Sequence, residues 1–133
     1  MIYLDTSALV KLVYEEAESE ALQHWLLLQE DTVATSVIGK VELHRVCRRI
    51  DPAGVAGAEL LLADMPIIPL AGWIEETSEN IGPPTLRTLD ALHLAAAYGT
   101  VEVLTAFVVY DKRLRDAAVQ IGLPVMTPGV DQL

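Results

Sequence analysis

The chain has a single cysteine and no long uncharged segment. Because Cys47 is alone among the 133 residues, an internal disulfide is excluded and a reducing compartment is expected. The longest stretch without a charged side chain, residues 117–130, contains two glycines and two prolines and cannot form a membrane-spanning helix. The N-terminal residues lack the basic segment of a secretory signal. We therefore expect a cytoplasmic protein that does not enter a membrane.

Basic residues are also scarce. Lys and Arg number 9 against 19 Asp and Glu, which gives a formal net charge of −10. Because sequence-independent binding to phosphates normally uses basic side chains, this balance argues at first against a nucleic-acid ligand. That objection is weakened by two local groups of basic residues, at 45–49 and at 112–115. Each group is either a solvated helix face, which is the commoner role, or a phosphate contact.

The length and the absence of repeats predict one domain, residues 1–133. Strand-like and helix-like segments alternate along it with short connections, which is typical of an α/β protein whose parallel sheet lies between helices. About five strands are expected. They fall at residues 2–5, 32–35, 67–70, 101–110 and 124–126.

Capping residues and helix breakers predict the helix ends. Thr6 or Ser7 is expected to cap a first helix that runs to about residue 14, and Ser36 a helix that runs to about Ile50. Gly99 is expected to end a later helix in the C′ position. Further helices are expected at about 17–28, 51–65, 71–79 and between residue 111 and Gly122.

Four acidic residues stand where one element gives way to the next. Asp5 and Asp111 lie at the ends of the first and fourth strands, while Glu42 and Asp90 fall in the first two turns of helices. Ligands of open parallel sheets bind at the carboxyl ends of the strands, where the following helices begin, so all four can face one crevice. For Glu42 or Asp90 alone, pairing with the helix dipole is the commoner role, worth about 0.3 to 1 kcal/mol. The joint placement of all four favours a site.

Carboxylates gathered in this way require a cation. Each close pair would repel by about 4 kcal/mol at an effective dielectric constant near 20. Oxygen-only ligation is typical of Mg²⁺ or Mn²⁺ rather than of zinc, which makes phosphate-ester chemistry the leading hypothesis. His93, one turn after Asp90, is expected to pack against the sheet or to bond a neighbour rather than to bind the metal.

Four sequence blocks carry a family resemblance. They are Tyr3-Leu4-Asp5-Thr6-Ser7, the helix of Glu42 after Thr35-Ser36, Leu89-Asp90-Ala91-Leu92-His93-Leu94, and Tyr110-Asp111-Lys112-Arg113-Leu114. In this order they resemble the PIN-domain ribonucleases and, more narrowly, the VapC toxins of toxin–antitoxin pairs. The resemblance implies a three-layer α/β/α PIN-like domain, RNA as substrate, Mg²⁺ with Mn²⁺ as its substitute, a homodimer and an inhibitory VapB-like antitoxin.

Taken position by position, the resemblance assigns the catalytic quartet to Asp5, Glu42, Asp90 and Asp111. Asp5, Asp90 and Asp111 are the expected metal residues: Asp5 and Asp90 ligate directly, and Asp111 completes the site through water or holds a second ion. Glu42 either ligates or orients the attacking water. Thr6 or Ser7 matches the family's hydroxyl after the first aspartate. The implied reaction is hydrolysis of RNA phosphodiester bonds by metal-activated water. The alternative is a catalytically weak module of the same fold that mainly binds its antitoxin or dimerises.

Overall fold

The computed structural model describes residues 1–130, in which seven helices alternate with five strands. The strands are β1 (Ile2–Leu4), β2 (Val33–Ser36), β3 (Ile67–Ile68), β4 (Ala106–Val108) and β5 (Val125–Met126). The helices are α1 (Thr6–Val13), α2 (Ser19–Leu27), α3 (Val37–Ile50), α4 (Gly54–Leu62), α5 (Gly72–Ser78), α6 (Thr88–Tyr98) and α7 (Lys112–Gln120). None of these helices has the length and apolar character needed to cross a bilayer.

All five strands are parallel and lie in the order β3-β2-β1-β4-β5. At the centre, Tyr3 of β1 pairs with Ala34 of β2 on one side and with Phe107 of β4 on the other. The chain therefore builds one half of the sheet outward to β3 and then crosses to the other half at β4. Such a reversal of strand order opens a crevice at the carboxyl ends of the strands, here between β1 and β4.

Successive strand side chains point to opposite faces of the sheet and enter two separate cores. On one face, Tyr3 and Phe107 pack with residues of α5, α6 and α7, among them Leu94. On the other face, Leu4 packs with residues of α1 to α4, among them Leu43. The three-layer α/β/α architecture predicted from the sequence is confirmed.

Helix α6 is the most deeply buried helix beside the crevice. Its residues 94–97, a leucine and three alanines, have no exposed surface. Alanine is the strongest helix former, and its small side chain lets the helix lie close to the sheet. This packing brings His93, which precedes the run, within hydrogen-bond distance of Tyr3 on β1. Asp90 lies one turn earlier on the same helix.

Two helix-end predictions were wrong in detail. Asp5, rather than Thr6 or Ser7, is the N-cap of α1 and accepts the backbone N–H of Ala8 at 3.0 Å. The strand already ends at Leu4, so Asp5 is the last extended residue before the helix. Gly99 ends α6 with φ −68°, in the helical region rather than the left-handed C′ conformation. Its small size matters for packing instead, because a Cβ there would overlap the ring of Trp73.

The fourth strand is shorter than the predicted segment 101–110. It covers Ala106–Val108, and residues 101–103 form turns. Its neighbours in the sheet pair with it only through Ile2–Leu4 and Val125–Met126. Residues before Ala106 therefore have no strand beside them, and their β-branched side chains cannot make them a strand alone. The caps at Ser36 of α3 and the positive-φ glycine after α7, Gly122, agree with the sequence prediction.

Candidate active site

Asp5 links β1 to α1 at the bottom of the crevice. Its Oδ1 accepts the backbone N–H of Ala8 at 3.0 Å and the hydroxyl of Ser7 at 2.6 Å. The residue is only 3% exposed. Burial raises the pKa of Asp5 to about 6, with a further rise from Asp111, while His93 and the two hydrogen bonds oppose the rise. Keeping this carboxylate ionised at neutral pH therefore costs free energy, which a bound cation would offset.

The Ser7 hydroxyl bridges Asp5 and the backbone just after β4 by hydrogen bonds. It donates to Asp5 and accepts the backbone N–H of Tyr110 at 2.9 Å. The backbone N–H of Asp5 donates to the carbonyl of Val108 at 3.2 Å. Asp111 comes next along the chain, where it caps α7 by accepting the N–H of Leu114 at 3.0 Å. The ends of β1 and β4 thus hold Asp5 and Asp111 beside one another.

Glu42 enters the crevice from α3. Its Oε1 accepts the hydroxyl of Thr6 at 2.5 Å and lies 2.7 Å from Nε2 of His93. Burial raises the pKa of Glu42, but the hydrogen bonds from His93 and Thr6 outweigh it, so the pKa lies below its ordinary value. Glu42 is therefore ionised at neutral pH and acts as a hydrogen-bond acceptor.

Asp90 and Asp111 share one arginine. Arg87, the residue before α6, has its Nε 3.3 Å from Oδ2 of Asp90 and its Nη2 3.7 Å from Oδ2 of Asp111. Burial raises the pKa of Asp90, and the charge of Asp111 adds to the rise, while Arg87 opposes it. Because the Arg87 side chain is 68% exposed, both ion pairs have the modest strength of surface pairs.

The donor set fits a hard divalent cation in chemistry and in charge. All four candidate side chains offer carboxylate oxygens, which Mg²⁺ and Mn²⁺ prefer. The pKa values of Asp5 and Asp90 are both raised partly by Asp111, so negative charge is in excess where these residues meet. Within residues 1–130, no three acidic, histidine or cysteine side chains converge closely enough to hold an ion in their present positions. Arg87 supplies the nearby positive charge instead.

The sequence matches a known family over most of its length. Residues 2–120 match the family model of the PIN domain. The chain belongs to the PIN-domain family. Among curated proteins, this PIN domain is 45% identical over 133 residues to ribonuclease VapC47 of Mycobacterium tuberculosis (strain CDC 1551 / Oshkosh), covering 97% of this chain and 98% of the relative. The resemblance read from the four sequence blocks is confirmed, and PIN-domain ribonucleases are generally metal-dependent.

Solved structures share the PIN fold. VapC20 of Mycobacterium tuberculosis, a sarcin-ricin loop cleaving toxin, superposes with a TM-score of 0.73 at 18% identity, covering 96% of this chain and 100% of the other. A toxin–antitoxin complex from Klebsiella pneumoniae gives a TM-score of 0.69 at 21% identity, covering 96% and 98%. At such identities the likeness establishes the fold alone.

In the PIN-domain structure, hydrogen bonds and ion pairs connect the predicted site residues in pairs. Asp5 bonds Ser7, Glu42 bonds Thr6, and Asp90 is joined to Asp111 through Arg87. Arg45 lies three residues after Glu42 on the same helix, but the two form no ion pair within residues 1–130. Glu42 bonds His93 instead.

Sequence reasoning missed Arg87 and the partners of His93. Two sequence spacings indicated that His93 and Tyr3 lie near the site. His93 is three residues after Asp90 and therefore shares its helix face. Tyr3 is two residues before Asp5 in extended backbone, so the two side chains point to the same side of the sheet. Spacing identifies a face but no partner, and the residue that His93 binds, Glu42, is 51 positions away in the chain.

Proposed function

We propose that this protein is a metal-dependent endoribonuclease that acts as the toxin of a type II toxin–antitoxin pair. Membership of the PIN-domain family and the 45% identity to a ribonuclease VapC support this activity. The observation that carries the proposal is the buried Asp5 held beside Asp111 at the ends of β1 and β4, with Glu42 and Asp90 reaching the same crevice.

In this proposal Asp5, Asp90 and Asp111 hold Mg²⁺, for which Mn²⁺ substitutes. When bound, such an ion neutralises charge on the phosphate and lowers the pKa of the attacking water. The protein side chains do the rest. Glu42, kept ionised by His93 and Thr6, orients the attacking water and takes its proton. Ser7 holds Asp5 in place through the bond to Oδ1.

The substrate class is supported by a local positive surface. Arg45, Arg48 and Arg49 are exposed, line one surface pocket and form no ion pair within residues 1–130. They lie on α3, one to two turns after Glu42. In a chain of net charge −10, these three arginines on the helix of Glu42 supply positive charge for RNA phosphates.

The proposal predicts RNA cleavage that depends on added metal. The purified protein is expected to cut RNA with Mg²⁺ or Mn²⁺, to stop when a chelator is added, and to leave a 5′ phosphate and a 3′ hydroxyl. Metal-free ribonucleases use the 2′ hydroxyl as nucleophile and leave different ends. Mapping the product ends with and without chelator is the measurement. Cleavage that persists in chelator would contradict the proposal.

We further propose a VapB-like antitoxin as partner, a homodimer, and a single domain over residues 1–133 that works in the cytoplasm. The similar Klebsiella pneumoniae structure is a toxin–antitoxin complex, which supports such a partner. Leu27 and Leu28, at the end of α2, are 84% and 67% exposed and offer apolar surface to an antitoxin helix. Adding the antitoxin to the cleavage assay is expected to stop cleavage. If the catalytically weak alternative holds, the protein will bind the antitoxin but will show no RNA cleavage even when the antitoxin is absent.

Replacing Arg87 with glutamine is expected to strengthen metal binding. The guanidinium is the cation nearest Asp90 and Asp111, and it repels a second positive charge. Because Arg87 is largely exposed, the effect matches a surface ion pair, and the Mg²⁺ concentration for half-maximal cleavage should fall by about two- to five-fold. The matched control is Arg115→Gln, whose arginine pairs with Asp116. A higher Mg²⁺ requirement in Arg87→Gln than in this control would refute the expectation.

A further inference from the structure

A line of buried hydrogen bonds runs from the sheet to Glu42. The hydroxyl of Tyr3 lies 2.7 Å from Oγ of Ser36 and 2.8 Å from Nδ1 of His93. The other ring nitrogen of His93, Nε2, lies 2.7 Å from Oε1 of Glu42. Tyr3, Ser36 and His93 are at most 1% exposed, whereas Glu42 is partly exposed. Side chains from β1, β2 and α6 thus lead from the core to the one carboxylate on α3.

The chemistry of the two ends fixes where the ring carries its proton. The hydroxyl of Tyr3 is a phenol, which keeps its proton at neutral pH. Glu42 is ionised and can only accept. If Tyr3 donates to Nδ1, the ring proton lies on Nε2. If Tyr3 donates to Ser36, Nδ1 must itself donate to the Tyr3 oxygen, and the ring then either carries a second proton on Nε2 or leaves Nε2 unprotonated.

The remaining tautomer is excluded by geometry. It would leave Nε2 unprotonated and set its lone pair against a carboxylate oxygen 2.7 Å away. The Thr6 hydroxyl has one proton, and its closer partner is Glu42 at 2.5 Å rather than Nε2 at 3.0 Å. His93 is therefore a donor to Glu42 whichever way the Tyr3 hydroxyl turns.

We propose that His93 is a positioning residue for RNA cleavage, anchored by Tyr3 and Ser36, and that it fixes the orientation of the Glu42 carboxylate in the crevice. The inference rests on the proposed function, in which Glu42 orients the attacking water. Both His93 and Thr6 bond the same oxygen, Oε1, so Oε2 is the oxygen left to face the water. A long glutamate side chain at a partly exposed position is held in one orientation by these two donors, which is the preorganisation that such catalysis needs.

Two amide variants separate this role from simple core packing. His93→Gln places its amide nitrogen near the position of Nε2 and retains a donor for Glu42, but loses the bond to Tyr3. His93→Asn places its amide near Nδ1, retains a partner for Tyr3, and cannot reach Glu42. Both variants replace the ring with a smaller polar group, so a purely structural residue would lose function alike in both.

For His93→Asn we expect kcat to fall about 10- to 100-fold, the usual cost of losing a group that orients a catalytic ligand, with KM for RNA little changed. His93→Gln is expected to retain most of the kcat, even where its thermal stability is the lower of the two. Equal losses of kcat in both variants, or a loss confined to KM, would overturn the positioning role.

Nitrogen-15 NMR of the histidine rings supplies a readout independent of turnover. The His93 signal is identified as the one missing from His93→Gln, since His24 and His44 remain. We expect Nε2 to be protonated in the unaltered protein with Mg²⁺ present and to stay protonated in Tyr3→Phe, because the contact with Glu42 requires a donor there. An unprotonated Nε2 in the unaltered protein would overturn the inference. Failure of the unaltered protein to cleave RNA with metal would instead overturn the proposed function, so the two failures are distinguishable.

Discussion

Asp5→Asn is expected to abolish metal-dependent RNA cleavage while making the fold more stable. The loss follows from the central position of Asp5, whose carboxylate is the most buried of the four acids and lies beside Asp111. Removing its charge removes a metal ligand. Since metal stabilisation of transition-state charge is worth several kcal/mol, cleavage should fall by about a thousandfold or more.

The gain in stability has an electrostatic cause. Burial raises the pKa of Asp5 from the ordinary 3.8 to about 6, so the folded protein binds a proton more tightly than the unfolded chain does. Stability of the metal-free protein therefore falls as pH rises from about 4 to about 6, and the loss is complete above the folded pKa. Asparagine carries no charge, and its oxygen still accepts from Ala8 and Ser7. The variant should thus gain up to about 3 kcal/mol above pH 6 and almost nothing below pH 4.

Thermal unfolding with and without Mg²⁺, at pH 4 and at pH 7.5, measures both effects. At pH 7.5 a hundredfold excess of Mg²⁺ over its Kd should stabilise the unaltered protein by about 2.7 kcal/mol and leave Asp5→Asn unmoved. Asp116→Asn is the matched control, because Asp116 is exposed and pairs with Lys112. Equal stabilisation of Asp5→Asn and of the unaltered protein by Mg²⁺ would show that Asp5 holds no metal.

Gly39→Ala is expected to lower the free energy of unfolding by about 2 to 3 kcal/mol and to reduce cleavage as well. Gly39 is the third residue of α3, and a Cβ there would overlap Oγ1 of Thr35 and lie 3.2 Å from Cδ1 of Leu9. Thr35 is buried, and its hydroxyl donates to the carbonyl of Leu4 at 2.7 Å, so it has little room to move. Helix α3 must shift instead, and Glu42 shifts with it.

The control for this substitution is Gly72→Ala. Gly72 opens α5, and a Cβ there meets no atom within 4 Å. Alanine favours the helix and restricts the unfolded chain, so Gly72→Ala should be neutral or stabilising by up to about 1 kcal/mol. Urea unfolding and kcat of both variants are the measurements. If the two variants unfold at the same urea concentration, the close packing of α3 on the sheet does not explain the glycine at position 39.

Much of the architecture was predictable because its signals are local. Apolar runs and caps such as Ser36 identify the alternation of strands and helices, and parallel strands bring residues at their carboxyl ends together. That reasoning predicted that four acids meet there; the structure places Asp111 close enough to raise the pKa of Asp5, but within residues 1–130 no three of the four converge closely enough to hold an ion. The same reasoning did not predict that Arg87 joins Asp90 to Asp111, because the direction of a long exposed side chain depends on charges from distant parts of the chain.

The hydrogen bonds of His93 could not be predicted from the sequence for a related reason. Helical spacing indicates that His93 shares a face with Asp90, but the identity of its partners depends on how α3 and α6 approach one another. Gly99 shows the same limit: a glycine at a helix end suggests a left-handed cap, while here the residue is small because Trp73 packs over it. In both cases tertiary contacts, rather than the local sequence pattern, determine the role of the residue.

The two outermost strands of the sheet, β3 and β5, contain two residues each. A border this short presents few unpaired backbone groups, which disfavours the addition of a strand from another polypeptide. Fibrillar self-association by that route is thereby discouraged.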